Sequence, residues 1–312
     1  MQAATKTPQG SPLGWAALMV VYLIWGSTYL AIRVGVRDFP PLTMAGMRYV
    51  AAGLILYPIA MRTGSTEMRR DDVPRLRQWL SGALIGLLLL VFGNGGLTIA
   101  ETRIDSGLAA VLVATVPLWM IVFSWPINKQ RPTGRGTAGL VIGLIGITVL
   151  GLSGSASGQL SGILIVLGAS VSWGLGSVIA GHVWLSRRVL LAAAIEMLAG
   201  GTIMLIAALV HGDIARTEWP QISTDSWLAL AYLIVPGSIL AFTAYGYALT
   251  QLPMPTVSTY AYVNPVVAVF LGVIILSETL SMREVAGTVL VVASVILTLP
   301  RVRTRRLEKL PV

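Results

Sequence analysis

Residues 14–36 read GWAALMVVYLIWGSTYLAIRVGV, an apolar stretch long enough to cross the hydrocarbon core of a membrane as one helix. A secretory signal peptide has a shorter apolar region, and a small-residue cleavage site and a soluble domain follow it. Neither feature follows this stretch. We therefore predict that residues 14–36 form a retained first membrane span.

The composition of the whole chain agrees with a protein that contacts lipid over most of its length. Hydrophobic residues make up 55% of the 312 residues and charged residues 11%, against roughly 25% charged in soluble domains. The net charge of +9 is explained by basic membrane-flanking loops, so we predict no nucleic-acid partner. Without cysteine, and with His182 and His211 as isolated histidines, the sequence predicts no metal site, no cofactor and no enzymatic activity.

Apolar windows recur from end to end and define the fold class. We predict an all-α integral membrane protein with ten transmembrane helices. The expected spans are residues 14–36, 42–61, 78–100, 105–127, 134–152, 160–183, 189–210, 226–250, 255–276 and 283–299.

The distribution of Lys and Arg between alternate loops predicts the orientation. If the N-terminus is cytoplasmic, 16 of these residues lie on the cytoplasmic side, 5 on the other side, and Arg48 inside a span. Because basic residues are enriched in cytoplasmic loops, both termini are expected in the cytoplasm.

A constant offset of 148 residues aligns the two halves of the sequence without a gap. It superimposes Trp25-Gly26 on Trp173-Gly174 and Pro117 on Pro265, among other matches. Such self-similarity indicates an internal duplication. Each copy holds five spans, an odd number, so the second copy is expected to enter the membrane inverted.

The duplication defines the predicted organisation of the chain. The expected segments are a cytoplasmic tail 1–13, a first five-helix repeat 14–152, a linker 153–159, a second repeat 160–299 and a basic cytoplasmic tail 300–312. Inverted repeats place a substrate site near the membrane midplane, where the halves meet, and give two related packings for alternating access.

The segments WGSTYLAIRVG (25–35) and YVNPVVAVFLGVIILSE (262–278), with the five-plus-five repeat, resemble the EamA-type permeases of the drug/metabolite transporter superfamily. Residues 25–48, with the turn Phe39-Pro40-Pro41, most resemble its YedA-like branch. The resemblance implies a bacterial inner-membrane exporter. It also implies roles for Trp25, Gly26, Arg48, Pro117, Pro265, Gly139, Gly287 and Glu278. The first-half counterpart of Glu278 is Gln130, so the family's acidic residue is missing from that corner.

Polar and aromatic residues in mid-span are the candidate substrate-binding residues, because a polar group in the bilayer needs a partner, water or a function. An alternative is that hydroxyls bond their own helices and aromatic rings form interfacial belts. The candidates are Trp25, Thr28, Tyr29, Asn94, Thr98, Trp119, Trp173, Ser177, Tyr245, Tyr260 and Asn264.

Four further residues are candidates for coupling or gating. Pro117 and Pro265 would kink their helices and free a carbonyl, or form a static kink. Glu196 is the candidate proton carrier, and Arg48 would bind a substrate carboxylate, contact carbonyls or extend outward. Glu101 is expected to be an interfacial residue at a span end.

The glycines Gly139, Gly143 and Gly146 predict a close-packing stripe, either within the chain or between two copies, so a monomer or weak homodimer is expected. Together these features predict a secondary transporter that exports small metabolites, such as amino acids or amphipathic drug-like compounds, driven by an ion, proton or substrate gradient. Alternatives are an importer of a sugar or other metabolite, a lipid flippase or scaffold, and a channel.

Overall fold

The computed structural model describes residues 11–62, 74–129, 131, 133–151, 157–252, 254–257, 259–279 and 281–298. These ranges are largely helical and contain no strand, so the all-α prediction is confirmed for them. Residues 1–10, most of the predicted linker, Gln130 and the basic tail lie outside the described residues.

Long helices account for most of the described chain. They are α1 Pro12–Gly35, α2 Pro41–Arg62, α3 Leu76–Ala100, α4 Ser106–Asn128, α5 Gly134–Gly151, α6 Ser157–Ala180, α7 Val189–His211, α8 Thr224–Gln251, α9 Tyr260–Leu276 and α10 Met282–Thr298. Shorter helical turns are Asp213–Arg216, Trp219–Gln221 and Met254–Val257.

Seven helices in the described residues are long and apolar enough to cross a membrane, namely α1, α2, α3, α4, α6, α7 and α8. The other expected spans coincide with α5, α9 and α10. Within α5 and α9, the apolar helices Gly134–Val149 and Val263–Leu276 are shorter than this length. The length and composition of these helices therefore support a multi-pass membrane protein, whereas the count of ten membrane spans stays a prediction.

Local sequence signals explain where several helices begin and end. Ser11 accepts a hydrogen bond from the Gly14 N–H at 3.1 Å and thereby caps α1, whose first residue is a proline. Ser223 caps α8 by accepting from the Ser226 N–H at 3.3 Å. Gly212 ends α7 with φ of 83°, a left-handed conformation that glycine adopts without steric cost.

Backbone irregularities recur at the offset that the sequence predicted. The π-helical segment Leu87–Gly95 of α3 and the π-helical segment Val235–Leu240 of α8 begin 148 residues apart. Lys129 ends α4 and Ser277 ends α9 with φ of 57° and 55°, again 148 residues apart. The two halves therefore share local geometry that hydropathy alone does not specify.

The packing of the helices follows the same offset. Helix α1 contacts α8 and α9, and its counterpart α6 contacts α3 and α4. Helix α2 packs along its own counterpart α7, and α5 packs along its own counterpart α10. Each of these helix contacts therefore has an equivalent when the first half is exchanged for the second.

Glycines permit the closest helix contacts. Gly26 of α1 lies against Val267 of α9, where an added Cβ would stand 2.6 Å from the valine Cβ. Gly174 of α6 lies against Trp119 of α4, and an added Cβ would again stand 2.6 Å from the tryptophan Cβ. Val267 and Trp119 are themselves 148 residues apart, so one contact occurs twice in the chain.

The glycine stripe of α5 faces the inside of this chain. Positions Gly143 and Gly146 lie against Ser294 and Leu290 of α10, and a Cβ added at either glycine would come within 3.0 Å of these residues. Close packing within one chain therefore explains these two glycines.

Candidate functional site

Four aromatic rings from α1, α8 and α9 form one cluster, which we call the Trp25 cluster. The ring centroid of Trp25 lies 5.2 Å from Phe242, 5.3 Å from Tyr245 and 5.1 Å from Tyr260. Tyr245 and Tyr260 are 5.8 Å apart and meet edge to face. The structure therefore brings together three candidates that are far apart in the sequence, and it adds Phe242, which was not a candidate.

The π-helical segment of α8 lies beside this cluster. Trp25 Nε1–H donates to the Gly237 carbonyl at 3.2 Å. Gly237 also faces Thr28 and Arg48, because a Cβ added there would stand 3.2 Å from Thr28 Cγ2 and 3.6 Å from Arg48 Nη2. Three sequence candidates on α1 and α2 thus converge on a short irregular segment of α8, the kind of helix distortion often found at functional sites.

Arg48 is a buried cation with few contacts to its guanidinium group. It is 5% exposed, and its Nε–H donates to Ser238 Oγ at 3.0 Å. Ser238 in turn donates to the Leu233 carbonyl at 2.9 Å, and the guanidinium lies 4.7 Å from the ring centroid of Tyr49. No ion pair joins Arg48 to Glu196 among the described residues.

The counterpart of Trp25 has different neighbours. Trp173 packs against Gly93 of the π-helical segment in α3, where an added Cβ would stand 2.9 Å from the indole. At the offset of 148, Phe242, Tyr245 and Tyr260 correspond to Asn94, Leu97 and Leu112. The duplicated framework therefore carries an aromatic cluster in one half and an amide with aliphatic side chains in the other.

Trp119 of α4 packs against α6 at the residue after Trp173. Its Nε1–H donates to Thr115 Oγ1 at 3.3 Å, and its Cβ packs on Gly174. Pro117 lies between them, in the first turn after the break in α4 at Ala114 and Thr115. Pro265 instead lies within the continuous helix α9.

Several candidate hydroxyls bond their own helices. Thr28 donates to the Trp25 carbonyl at 2.7 Å, Thr98 to the Asn94 carbonyl at 2.7 Å and Ser177 to the Trp173 carbonyl at 2.8 Å. These bonds satisfy the hydroxyl donors, as the alternative reading expected. Tyr29 also lies outside the Trp25 cluster and belongs to the main buried apolar cluster.

The two candidate asparagines are both buried. Asn94 is 8% exposed within the π-helical segment of α3. Asn264 is 6% exposed, and its Oδ1 has no hydrogen-bond partner among the described residues. An unpaired buried acceptor is costly, so Asn264 is a group that a ligand could satisfy.

Glu196 lies where α7 crosses α3. A Cβ added at Gly86 would stand 2.6 Å from the Glu196 carbonyl oxygen, so the two backbones are in close contact. Helix α7 also contacts α8, and Met197 belongs to the same apolar cluster as Phe242.

Polar contacts tie several elements together at the end of the bundle that holds the loop between α3 and α4. Arg33 forms an ion pair with Asp105 at 3.5 Å and donates to the Glu101 carbonyl. Arg103 donates to Ser161 at 2.9 Å. Burial raises the pKa of Asp105, and the nearby charge of Glu278 acts in the same direction.

Glu101 directly follows the last residue of α3, at the span end where the sequence predicts an interfacial residue. Its side chain is fully buried, and neither carboxyl oxygen has a partner among the described residues. Arg33 donates a hydrogen bond to its backbone carbonyl. Its position at the membrane interface stays a prediction. No sequence pattern distinguished this position from an exposed span end.

Comparisons with known proteins identify relatives along nearly the whole chain. The EamA-like transporter family model matches residues 12–152 and 160–299. The uncharacterised inner membrane transporter YedA of Escherichia coli strain K12 is 44% identical over 289 residues, which are 91% of this chain and 90% of that protein. A probable amino-acid metabolite efflux pump of Salmonella typhimurium is 26% identical over 94% of this chain and 96% of its own length.

A crystal structure of a protein that is 19% identical supports the fold. It superposes with a TM-score of 0.61 and covers 91% of this chain and 96% of its own. At this identity the likeness concerns the fold alone.

Proposed function

The chain belongs to the EamA-like transporter family of the drug/metabolite transporter superfamily, and we propose that it is an inner-membrane secondary transporter that exports small metabolites by alternating access. Its ten spans form two inverted five-helix repeats, residues 14–152 and 160–299. Both termini lie in the cytoplasm, since this orientation puts most Lys and Arg residues on the cytoplasmic side.

One observation carries the proposal of two exchangeable halves. The contact of Gly26 with Val267 recurs as the contact of Gly174 with Trp119, with both residues displaced by 148. The π-helical segments and the left-handed helix ends recur at the same displacement. Equivalent contacts on both sides of a pseudo-two-fold axis allow one half to take the packing of the other, which is the basis of alternating access.

The residues around the Trp25 cluster support an amphipathic substrate. Trp25, Tyr245 and Tyr260 offer ring faces to an apolar or aromatic group, and Asn264 offers an unpaired amide oxygen. The rest of the proposed lining lies beside this cluster or in the equivalent region of the other half. Its residues are Trp173, Trp119, Thr28, Tyr29, Asn94, Thr98 and Ser177. Amino acids are the leading class, and the name of the efflux pump of Salmonella typhimurium agrees with that class.

The driving force is proposed to be an ion, proton or substrate gradient, with Glu196 as the proton carrier. Glu196 is an ionisable carboxyl group inside the span α7, next to α3, and ionisable groups inside spans are candidates for proton transfer. Replacement of Glu196 by Gln should abolish uphill transport and retain exchange. Unchanged uphill transport would refute this role.

Reconstitution into liposomes tests the transport function itself. Vesicles loaded with one amino acid should accumulate the same labelled amino acid by counterflow, and the rate should saturate with concentration. A channel would give flux proportional to the gradient, and a flippase would move labelled lipid instead. Import or export is decided by comparing right-side-out with inside-out membrane vesicles at one imposed gradient.

A further inference from the structure

Arg48 places a positive charge inside helix α2, and only part of its hydrogen-bonding capacity is satisfied by its surroundings. A guanidinium carries five N–H donors, and the Nε–H of Arg48 donates to Ser238 Oγ. The four donors on Nη1 and Nη2 have no acceptor among the described residues. A charged group this deeply buried is expensive to keep in a membrane span without partners.

Among the described residues, no acidic side chain forms an ion pair with Arg48. In the described part of the chain, the ion pairs are Arg33 with Asp105 and His211 with Asp213, so neither involves Arg48. Glu101 is near enough to feel the charge of Arg48, but its buried carboxyl makes no hydrogen bond with it. The position therefore presents donors and positive charge without an anion.

The surroundings of the guanidinium indicate what kind of anion fits. Nη2 lies on the face of Gly237, whose carbonyl receives the Trp25 indole N–H. From Trp25 the surface continues into the rings of Phe242, Tyr245 and Tyr260. A planar anionic group at Arg48 would thus have an aromatic wall next to it.

We propose that Arg48 binds a carboxylate of the substrate, and that the Trp25 cluster contacts the apolar or aromatic part of the same molecule. This inference rests on the proposed transport function and names the groups that select its substrate. Two oxygens of a carboxylate match the planar fork of an arginine, so the guanidinium gains the acceptors that it lacks. Substrates without a negative group are bound less tightly at this site.

The test compares an acid with its neutral analogue on the purified full-length protein. Phenylacetate and phenylacetamide are titrated at neutral pH, where the acid is ionised, and the shift in melting temperature gives the affinity of each. Because hydrogen bonds between charged groups are strong, the wild type should bind the acid about tenfold more tightly than the amide. Arg48→Gln should bind both equally.

Two further variants keep the test valid if Arg48→Gln fails to fold. Arg48→Lys retains the positive charge but lacks the planar fork that matches two carboxylate oxygens, so the preference for the acid should fall severalfold. Gly246→Ala in α8 is the control. Its methyl group would meet Val189 at an ordinary 3.7 Å, and the preference should be unchanged.

The outcomes separate this inference from the transport function. Equal affinity of the wild type for acid and amide, or a full preference retained in folded Arg48→Gln or in Arg48→Lys, overturns the role of Arg48. Stabilisation by phosphatidylglycerol without any by phenylacetate also overturns it, in favour of a lipid contact. Counterflow that persists in either case leaves the transport function standing.

Discussion

Glu278 Oε1 accepts hydrogen bonds from both the backbone N–H and the hydroxyl of Ser106, at 2.9 and 2.7 Å. Oε2 accepts from the Gly107 N–H at 3.1 Å, so one carboxylate joins the end of α9 to the first turn of α4. At the offset of 148, Ser106 and Gly107 correspond to Met254 and Pro255, so the hydroxyl and one of the two backbone N–H donors are absent there. The change from Glu278 to Gln130 thus accompanies the loss of two of the three donors.

Replacement of Glu278 by Ala should lower the free energy of unfolding by about 2 kcal/mol, the scale of hydrogen bonds to a charged group. The loss arises because three donors at the start of α4 lose their acceptor. Thermal unfolding in detergent measures it, with Glu218→Ala at an exposed position as the control. Equal melting temperatures for the two variants would contradict the structural role of Glu278.

Asp38 should make stability depend on acid pH. Hydrogen bonds from the Ser223 hydroxyl, the Ser226 hydroxyl and the Ser223 N–H hold the pKa of Asp38 below its ordinary value of 3.8. A lowered pKa means that the stabilisation is complete above pH 3.8 and is lost as the pH falls through the folded-state pKa. Asp38→Asn should therefore melt lower than wild type at pH 7, with a smaller difference at pH 3.

The screening of an exposed group makes that effect small. Arg37→Gln serves as the control, because Arg37 lies next to Asp38 and contributes the weakest of the effects on its pKa. A difference between Asp38→Asn and wild type that stays constant from pH 7 to pH 3 would show that the Asp38 carboxylate does not carry the contacts.

Glu101 should respond to pH in the opposite direction. Burial raises its pKa well above 4.5 and outweighs the charges of Arg33 and Arg48, which favour the ionised form. The unfolded chain ionises near pH 4.5 while the folded chain stays protonated, so stability falls as the pH rises above that value. Glu101→Gln should melt above wild type at pH 7 and match it near pH 4.

Glu218→Gln, at an exposed position, is the control for the removal of one charge. If Glu101→Gln lowers the melting temperature equally at both pH values, the carboxyl has a partner in the folded protein and the unpaired description fails.

Gly26→Ala and Gly174→Ala should each destabilise the protein by about 1–3 kcal/mol, because an added methyl group would overlap Val267 or Trp119. Gly168→Ala is the matched control in α6, since a Cβ there meets nothing within 4 Å. Melting temperatures of the three variants decide the matter. A large loss in only one of the first two would contradict equivalent packing of the halves.

Trp25→Phe should slow transport by about twofold to tenfold, the value of one lost hydrogen bond, because the Gly237 carbonyl loses its donor while a ring remains. Trp173→Phe should also slow transport if both tryptophans line the cavity. Trp15→Phe, at an exposed position, should not. Rates are divided by membrane abundance, and a loss of abundance without a change in rate per molecule would indicate packing roles.

Much of the framework follows from the sequence. The helices α1 and α7 end within two residues of the expected spans, because apolar length and breaks in hydropathy fix membrane segments strongly. The sequence alone does not predict that Trp25, Tyr245 and Tyr260 meet, because they lie on three different helices whose packing brings them together. Phe242 was missed because a phenylalanine in an apolar span carries no signal of its own, although it adjoins Thr243 and Tyr245 in a less apolar stretch.

The sequence by itself determined the apolar segments, their charge bias and the period of 148, because these depend on residues counted along the chain. Only the tertiary structure decided that Glu101 is buried, that Glu278 caps α4, and that Arg48 keeps donors without acceptors among the described residues. Burial and hydrogen bonding depend on which helices meet. Those contacts are set by steric fit at positions such as Gly26 and Gly237, which hydropathy does not distinguish from other small residues.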